Sequence, residues 1–348
     1  MNEVRIMLKG VGIDNIVDIH DIEEAKAIVG KYARKTPLVQ SMFLSRNVVG
    51  GDVFLKLENM QLTGSFKFRG ANNKINHLSK EELSRGVITA SAGNHAQGVA
   101  LTGHLLGIDT TVVMPEEAPQ MKRDATRGYG AEVDIHGATF DDAHQWMFER
   151  AEREGKTIVD PFNDKYVIAG QGTIGLEILD DIWDVDTVII PVGGGGLISG
   201  MATALKSFNP NIHIVGVQSE NVHGMYASVK AGQITKHHDD FTLADGTDVA
   251  VPGDITFPIV SELVDEIVLV NEDEIAHAMK DLLQRTKVVA EGAGALPVAA
   301  LESHKIDDRW LKNKKTVAMV SGGNVDLNRV SQIIDQFLKP VKADGGIG

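Results

Sequence analysis

The chain has 348 residues, 43% of them hydrophobic, which is enough for one large or two medium domains with a sizeable core. Its net charge of −14 argues against nucleic acid or an anionic membrane surface as a partner. The absence of cysteine excludes disulfides, thiolate metal sites and cysteine catalysis, and no run approaches the roughly 20 apolar residues that span a bilayer.

The first residues, Met1–Lys9, lack the apolar region of a signal peptide, which makes the cytoplasm the default location. From there, short apolar runs with strand character fall at 53–58, 87–91, 110–114, 132–136, 187–192, 212–218, 266–270 and 316–320, with helix-period stretches between them. Ser79 with Glu82 and Asn271 with Glu274 have capping-box spacing, while Gly107 and Gly155 read as helix stops. The glycine-rich tail 342–348 reads as disordered. Strands alternating with helices predict an α/β fold of buried, doubly wound parallel sheets.

Four motifs stand near the ends of these strands, where ligands of open α/β sheets bind. In Gly64-Ser65-Phe66-Lys67-Phe68-Arg69-Gly70-Ala71, a lysine lies between two phenylalanines at a strand-to-helix junction. Desolvation there lowers its pKa and leaves an amine that can form a Schiff base with a carbonyl. Ser91-Ala92-Gly93-Asn94-His95-Ala96-Gln97-Gly98 lets backbone N–H groups approach an anion at a helix start, with Asn94 expected to cap that helix. Gly193-Gly194-Gly195-Gly196 follows a strand directly; four glycines in a row lose much backbone entropy on folding, and close approach to a phosphate explains them. Ser321-Gly322-Gly323-Asn324 follows the last strand. Taken singly, each has a plainer role: most lysines are solvated, Phe66 fits a core, His95 a turn and Ser321 a strand end.

Together, and with Ala169-Gly170-Gln171-Gly172-Thr173-Ile174 and Leu243-Ala244-Asp245-Gly246, they carry a resemblance. From about Asp21 to Gln336 the chain resembles the fold-type II (tryptophan synthase β-like) pyridoxal phosphate (PLP) enzymes. Within them it is similar to the serine/threonine dehydratase and serine racemase branch, above all to the catabolic (biodegradative) threonine dehydratases. The resemblance implies two open doubly wound α/β domains with PLP between them. The larger, discontinuous one comprises 1–75 and 160–348, and 76–159 forms a small inserted one. Lys67 would bind PLP as a Schiff base and act as general base. Gly193, Gly194, Gly195, Gly196 and Leu197 would hold the phosphate, Asn94 the ring hydroxyl and Ser321 the ring nitrogen, with Phe66 and Gly246 on the two ring faces. Ser91, Ala92, Gly93, Asn94 and His95 would take the substrate carboxylate, and Phe162 would help line the substrate pocket. The implied reaction is β-elimination from L-threonine or L-serine to 2-oxobutanoate or pyruvate and ammonia. Activation by AMP and a homodimer or homotetramer are implied in the same way. Too little chain follows Asp326 for the C-terminal sensing domain of the biosynthetic dehydratases.

Two departures separate dehydratase from racemase. Racemases of this branch place a serine, a second proton carrier, where this chain has Ala92. Their divalent-metal site would need acids where Gln218 and Gly224 stand, so no metal is expected. His237-His238-Asp239-Asp240 lacks helical ligand spacing and reads as a solvated loop. A nicotinamide-dependent oxidoreductase is the second reading, since strand, glycine loop and helix at 187–200 precede a strand ending near Glu220. The dinucleotide spacing fails at Ser199, however, and leaves Lys67 unexplained. A non-catalytic PLP or amino-acid binding protein is the third.

Overall fold

The computed structural model describes residues 17–337; Met1–Lys9 and the tail 342–348 lie outside the described residues. In chain order the strands are β1 (Leu38–Gln40), β2 (Asp52–Leu57), β3 (Val87–Ala90), β4 (Thr110–Met114), β5 (Glu132–Ile135), β6 (Thr157–Ile158), β7 (Thr187–Pro191), β8 (His213–Ser219), β9 (Glu266–Val270) and β10 (Lys315–Val320). They form a six-stranded sheet, β1-β2-β10-β7-β8-β9, and a four-stranded sheet, β5-β4-β3-β6. The predicted strands all form, to within a residue at each end. The edge strands β1 and β6, three and two residues long, are too short to carry a period-2 pattern and were not expected. Pairing is parallel throughout except for β1, which runs antiparallel to β2 with Leu38 opposite Lys56, so the larger sheet is mixed rather than purely parallel.

Helices cover both faces of the larger sheet. Ile189 of β7 packs into one core with Leu296 and Val298 of the helix Gly292–Glu302. Its neighbours Val188 and Ile190 pack into the other core, with Ile198 and Met201 of the helix Gly196–Phe208. Burial on both sides explains why β4, β7 and β8 read as unbroken apolar runs. Both capping boxes form, and Gly107 and Gly155 end their helices at φ +68° and +67°.

Three helices meet backbone to backbone: Lys67–Asn76, Lys165–Asp181 and Gly196–Phe208. A Cβ on Gly170 would lie 2.7 Å from the Arg69 carbonyl oxygen, and one on Gly200 would lie 2.2 Å from that of Ile168 and 2.6 Å from the Gly172 nitrogen. The Gly170-Gln171-Gly172 run is therefore a packing seam, joining the helix that begins at Lys67 to the one that begins at the glycine loop. Gln171 closes it by accepting from the Gly70 N–H at 3.1 Å.

A buried charge network secures the same junction. Arg69, 1% exposed, donates to Glu58 at 2.7 and 2.8 Å and to Glu177 at 2.7 Å. Lys56 donates to Glu177 at 2.6 Å. Burial alone would raise the Glu58 carboxyl, but the Arg69 guanidinium overrides it and holds Glu58 below the usual carboxylate range. Removing one partner of a buried pair strands the other charge. Arg69→Met should therefore lower the unfolding free energy of the cofactor-free protein by about 3–5 kcal/mol in urea denaturation. A loss below about 1 kcal/mol would mean that the network is dispensable to the fold.

Candidate active site

A cleft of about 560 Å³ opens between the carboxyl ends of the two sheets. Phe66, Lys67, Ser91–His95, Gly193–Leu197, Gly246 and Ser321 all line it, and so does Phe162.

Lys67 is the first residue of its helix and does not follow a strand directly, since nine residues, including the turn Glu58–Met60, separate it from β2. Its flank is instead tied to the turn after β10: the Phe66 N–H donates to the Ser321 carbonyl at 3.1 Å, and Ser65 bridges Gly322. The Lys67 amine donates to the Pro161 carbonyl at 2.8 Å. Burial lowers its pKa to about 8, against the opposing pull of Asp160 and Glu291.

His95 is neutral. Burial first, then the Lys67 charge, push it down to about 3 against the attraction of the Val159 carbonyl. Its Nε2 lies 2.9 Å from that carbonyl, which can only accept, so Nε2 carries the proton. Asn94 does not cap its helix. Gly93 is the N-cap, and Asn94, already helical, cannot reach the first-turn amides. Its side chain instead donates to Glu291 Oε1 at 2.6 Å and accepts from Asn324 Nδ2 at 2.7 Å.

The glycine loop is shaped by its neighbours. Gly195, at φ +98°, is the N-cap of the helix Gly196–Phe208. A Cβ on Gly194 would lie 2.4 Å from the Phe162 ring, and one on Gly196 would lie 2.9 Å from the Phe162 backbone. With side chains excluded, the first-turn N–H groups, which have no partner within the helix, are left to hold an anion.

Several contributors were not legible in the motifs. Glu291 is buried in the cleft, and its only sequence signal was one acid among small residues, Val289-Ala290-Glu291-Gly292-Ala293-Gly294. The segment Val159-Asp160-Pro161-Phe162 touches His95, Lys67 and the glycine loop in turn. At the cleft mouth Lys122 pairs with Asp245 at 3.1 Å.

Gln218 uses both ends of its amide inside the fold, on the Val192 carbonyl and the Tyr226 N–H, and a Cβ on Gly224 would meet the Ala250 carbonyl at 2.2 Å. That spot is packed protein. His237 stacks on His223 at 3.4 Å and His238 pairs with Asp248.

A family model described as pyridoxal-phosphate dependent enzyme matches residues 29–322. The chain is 62% identical over 333 residues to the catabolic L-threonine dehydratase TdcB of Staphylococcus aureus (strain USA300), covering 96% of each. Maize serine racemase superposes with a TM-score of 0.87 at 38% identity, over 92% of this chain and 97% of that one. The processed form of threonine deaminase isoform 2 from Solanum lycopersicum gives 0.85 at 40%, over 92% and 94%.

The residues present fit PLP: a desolvated amine for its aldehyde, a side-chain-free helix start for its phosphate, and amide and hydroxyl groups between them. Gly196→Ala should weaken equilibrium PLP binding at least tenfold, because its Cβ meets backbone that cannot yield. Gly194→Ala should cost less, because the Phe162 ring can swing aside. The reverse order in a spectroscopic titration would refute the packing account of the loop.

Proposed function

We propose that this chain, which belongs to the pyridoxal-phosphate dependent enzyme family, is a threonine ammonia-lyase (dehydratase) that converts L-threonine, and L-serine, to 2-oxobutanoate or pyruvate and ammonia. The observation that carries the reading is a half-buried amine of lowered pKa sharing one cavity with a glycine cradle and a neutral hydroxyl, Ser321.

When bound, PLP supplies an electron sink conjugated to the substrate's amino nitrogen, which acidifies the Cα–H bond. Lys67 would hold the cofactor's aldehyde and, once its Nζ is free, would take the Cα proton there. At pH 7 an amine of pKa about 8 is free base roughly 300-fold more often than an ordinary lysine at 10.5. Gly193–Leu197 would hold the cofactor's phosphate through backbone N–H groups, Asn94 and Ser321 would take the ring oxygen and nitrogen, and Phe66 and Gly246 would flank the ring. The Ser91–His95 turn receives the substrate carboxylate through backbone N–H groups, since neutral His95 brings no charge.

The Ser321 hydroxyl does not force a proton onto the ring nitrogen, as a carboxylate would. Negative charge left at Cα must then move on at once, and departure of the β-hydroxyl achieves this. The Cα–H and Cβ–O bonds break, Cα=Cβ forms and water leaves. The released enamine tautomerises and takes up water to give the 2-oxo acid and ammonia. Ala92 has no proton to deliver to the opposite face, which favours elimination over racemisation.

The reading extends to organisation and control. Of the described residues, those up to 75 with those from 160 onward form the larger domain and 76–159 the smaller; in support, β2 pairs with β10 across the length of the chain while β3–β6 pair only with one another. The enzyme acts in the cytoplasm as a homodimer or homotetramer and is activated by AMP.

Purified protein supplied with PLP should form 2-oxobutanoate from L-threonine, faster with AMP, and Lys67→Ala should abolish turnover; retained turnover would remove Lys67 from the chemistry. Native protein should make pyruvate from L-serine without D-serine, and measurable D-serine would overturn the role given to Ala92. Capture of PLP by cofactor-free protein needs the unprotonated amine. Its rate should therefore rise about tenfold per pH unit and level off above about 8. A rise continuing beyond pH 10 would mean that the amine is not desolvated.

A further inference from the structure

The Asn94 amide has more than one hydrogen-bonding choice, and the fold removes all but one. Thr63's backbone carbonyl lies 2.7 Å from the Asn324 side chain and can only accept, so the Asn324 atom facing it is Nδ2. That nitrogen donates its second proton across 2.7 Å, which makes the Asn94 atom opposite it Oδ1. Asn94 Nδ2 then faces Glu291 Oε1 at 2.6 Å and donates one proton there. One N–H of Asn94, a residue lining the cleft, remains for a ligand.

The carboxyl that ends this chain is itself firmly held. Glu291 is 4% exposed, and its backbone N–H donates to the Gly322 carbonyl at 3.1 Å, one residue beyond Ser321. A Cβ on Gly322 would lie 2.3 Å from Oε1 and one on Gly246 3.4 Å, so both glycines leave room for that oxygen.

We propose that Glu291 is a positioning residue for the cofactor ring: it accepts one Asn94 proton and so fixes the amide in the orientation that leaves the other for the ring hydroxyl oxygen. This rests on the PLP reading above and adds to it a residue that need not touch the cofactor. The acceptor is what matters, not a charge. Burial, with Asp245 second, raises the Glu291 carboxyl to about 8, against the opposing effects of Asn94, Lys122 and the Asn324 amide, so it is mostly protonated at neutral pH. A glutamine carbonyl can do the same work, and a leucine cannot.

The test is equilibrium PLP binding to cofactor-free protein, followed by Schiff-base absorbance, with thermal melting of the same samples. Glu291→Gln should bind within about twofold of native. Glu291→Leu should bind about five- to tenfold more weakly, the scale of one hydrogen bond, without a lower melting temperature. Adding Glu291→Leu to Asn94→Ala should weaken binding no further than Asn94→Ala alone. Native-like binding by Glu291→Leu, equal losses for Gln and Leu, or additive losses in the double variant would each overturn the proposal. If Glu291→Leu does not fold, Asn324→Ala removes the amide's other anchor and should give the same loss, and native binding there would equally overturn it. Native protein that fails to bind PLP would refute the cofactor reading itself, whereas native binding without turnover would leave Glu291's role open to this same measurement and fault only the reaction.

Discussion

Direct backbone contact between three helices is the constraint on which the rest of the molecule depends. The helix Lys165–Asp181 lies between the helix carrying Lys67 and the helix that begins at the glycine loop, and it touches both at positions without side chains. An alanine at Gly170 or Gly200 would drive main chain against main chain, where nothing can rotate away. The separation between Lys67 and the glycine loop is thus set by helix contact distance rather than by flexible side chains. A rigid cofactor held at both ends needs that separation to be constant.

Desolvation does most of the electrostatic work in the cleft. It lowers the Lys67 amine, keeps His95 neutral and raises Glu291, in each case ahead of any charge nearby. Arg69, two residues beyond Lys67, is more deeply buried but stays charged, held by Glu58 and Glu177. One helical turn therefore contains an amine that desolvation brings near neutral pH and a guanidinium that keeps its proton, by its own basicity and by the two carboxylates bonded to it.

Much of this was readable in the sequence because the relevant elements are local. The runs at 110–114 and 266–270 match β4 and β9 to the residue, since a short apolar run between turn signals carries its own boundaries. The four motifs were found because each is contiguous. Long-range geometry was not legible. β1 and β6 owe their existence to β2 and β3, not to their own patterns. Asn94 looked like a cap because asparagine usually is one, and only Glu291 and Asn324, 197 and 230 residues away, redirect it. The packing role of the Gly170-Gln171-Gly172 run is not legible in the sequence, because a glycine's reason lies in whatever approaches it.

The segment Val159–Phe162 leads from the last strand of the small sheet into the helix Lys165–Asp181. Its carbonyls hold His95 and Lys67, and its phenylalanine lies against the glycine loop. The same few residues are thus one of the chain's crossings between the sheets and a support for groups that line the cleft. A shift of this segment would therefore be felt at Lys67, at His95 and at the glycine loop together. The geometry of three motifs is thus tied to the path of one short segment of chain.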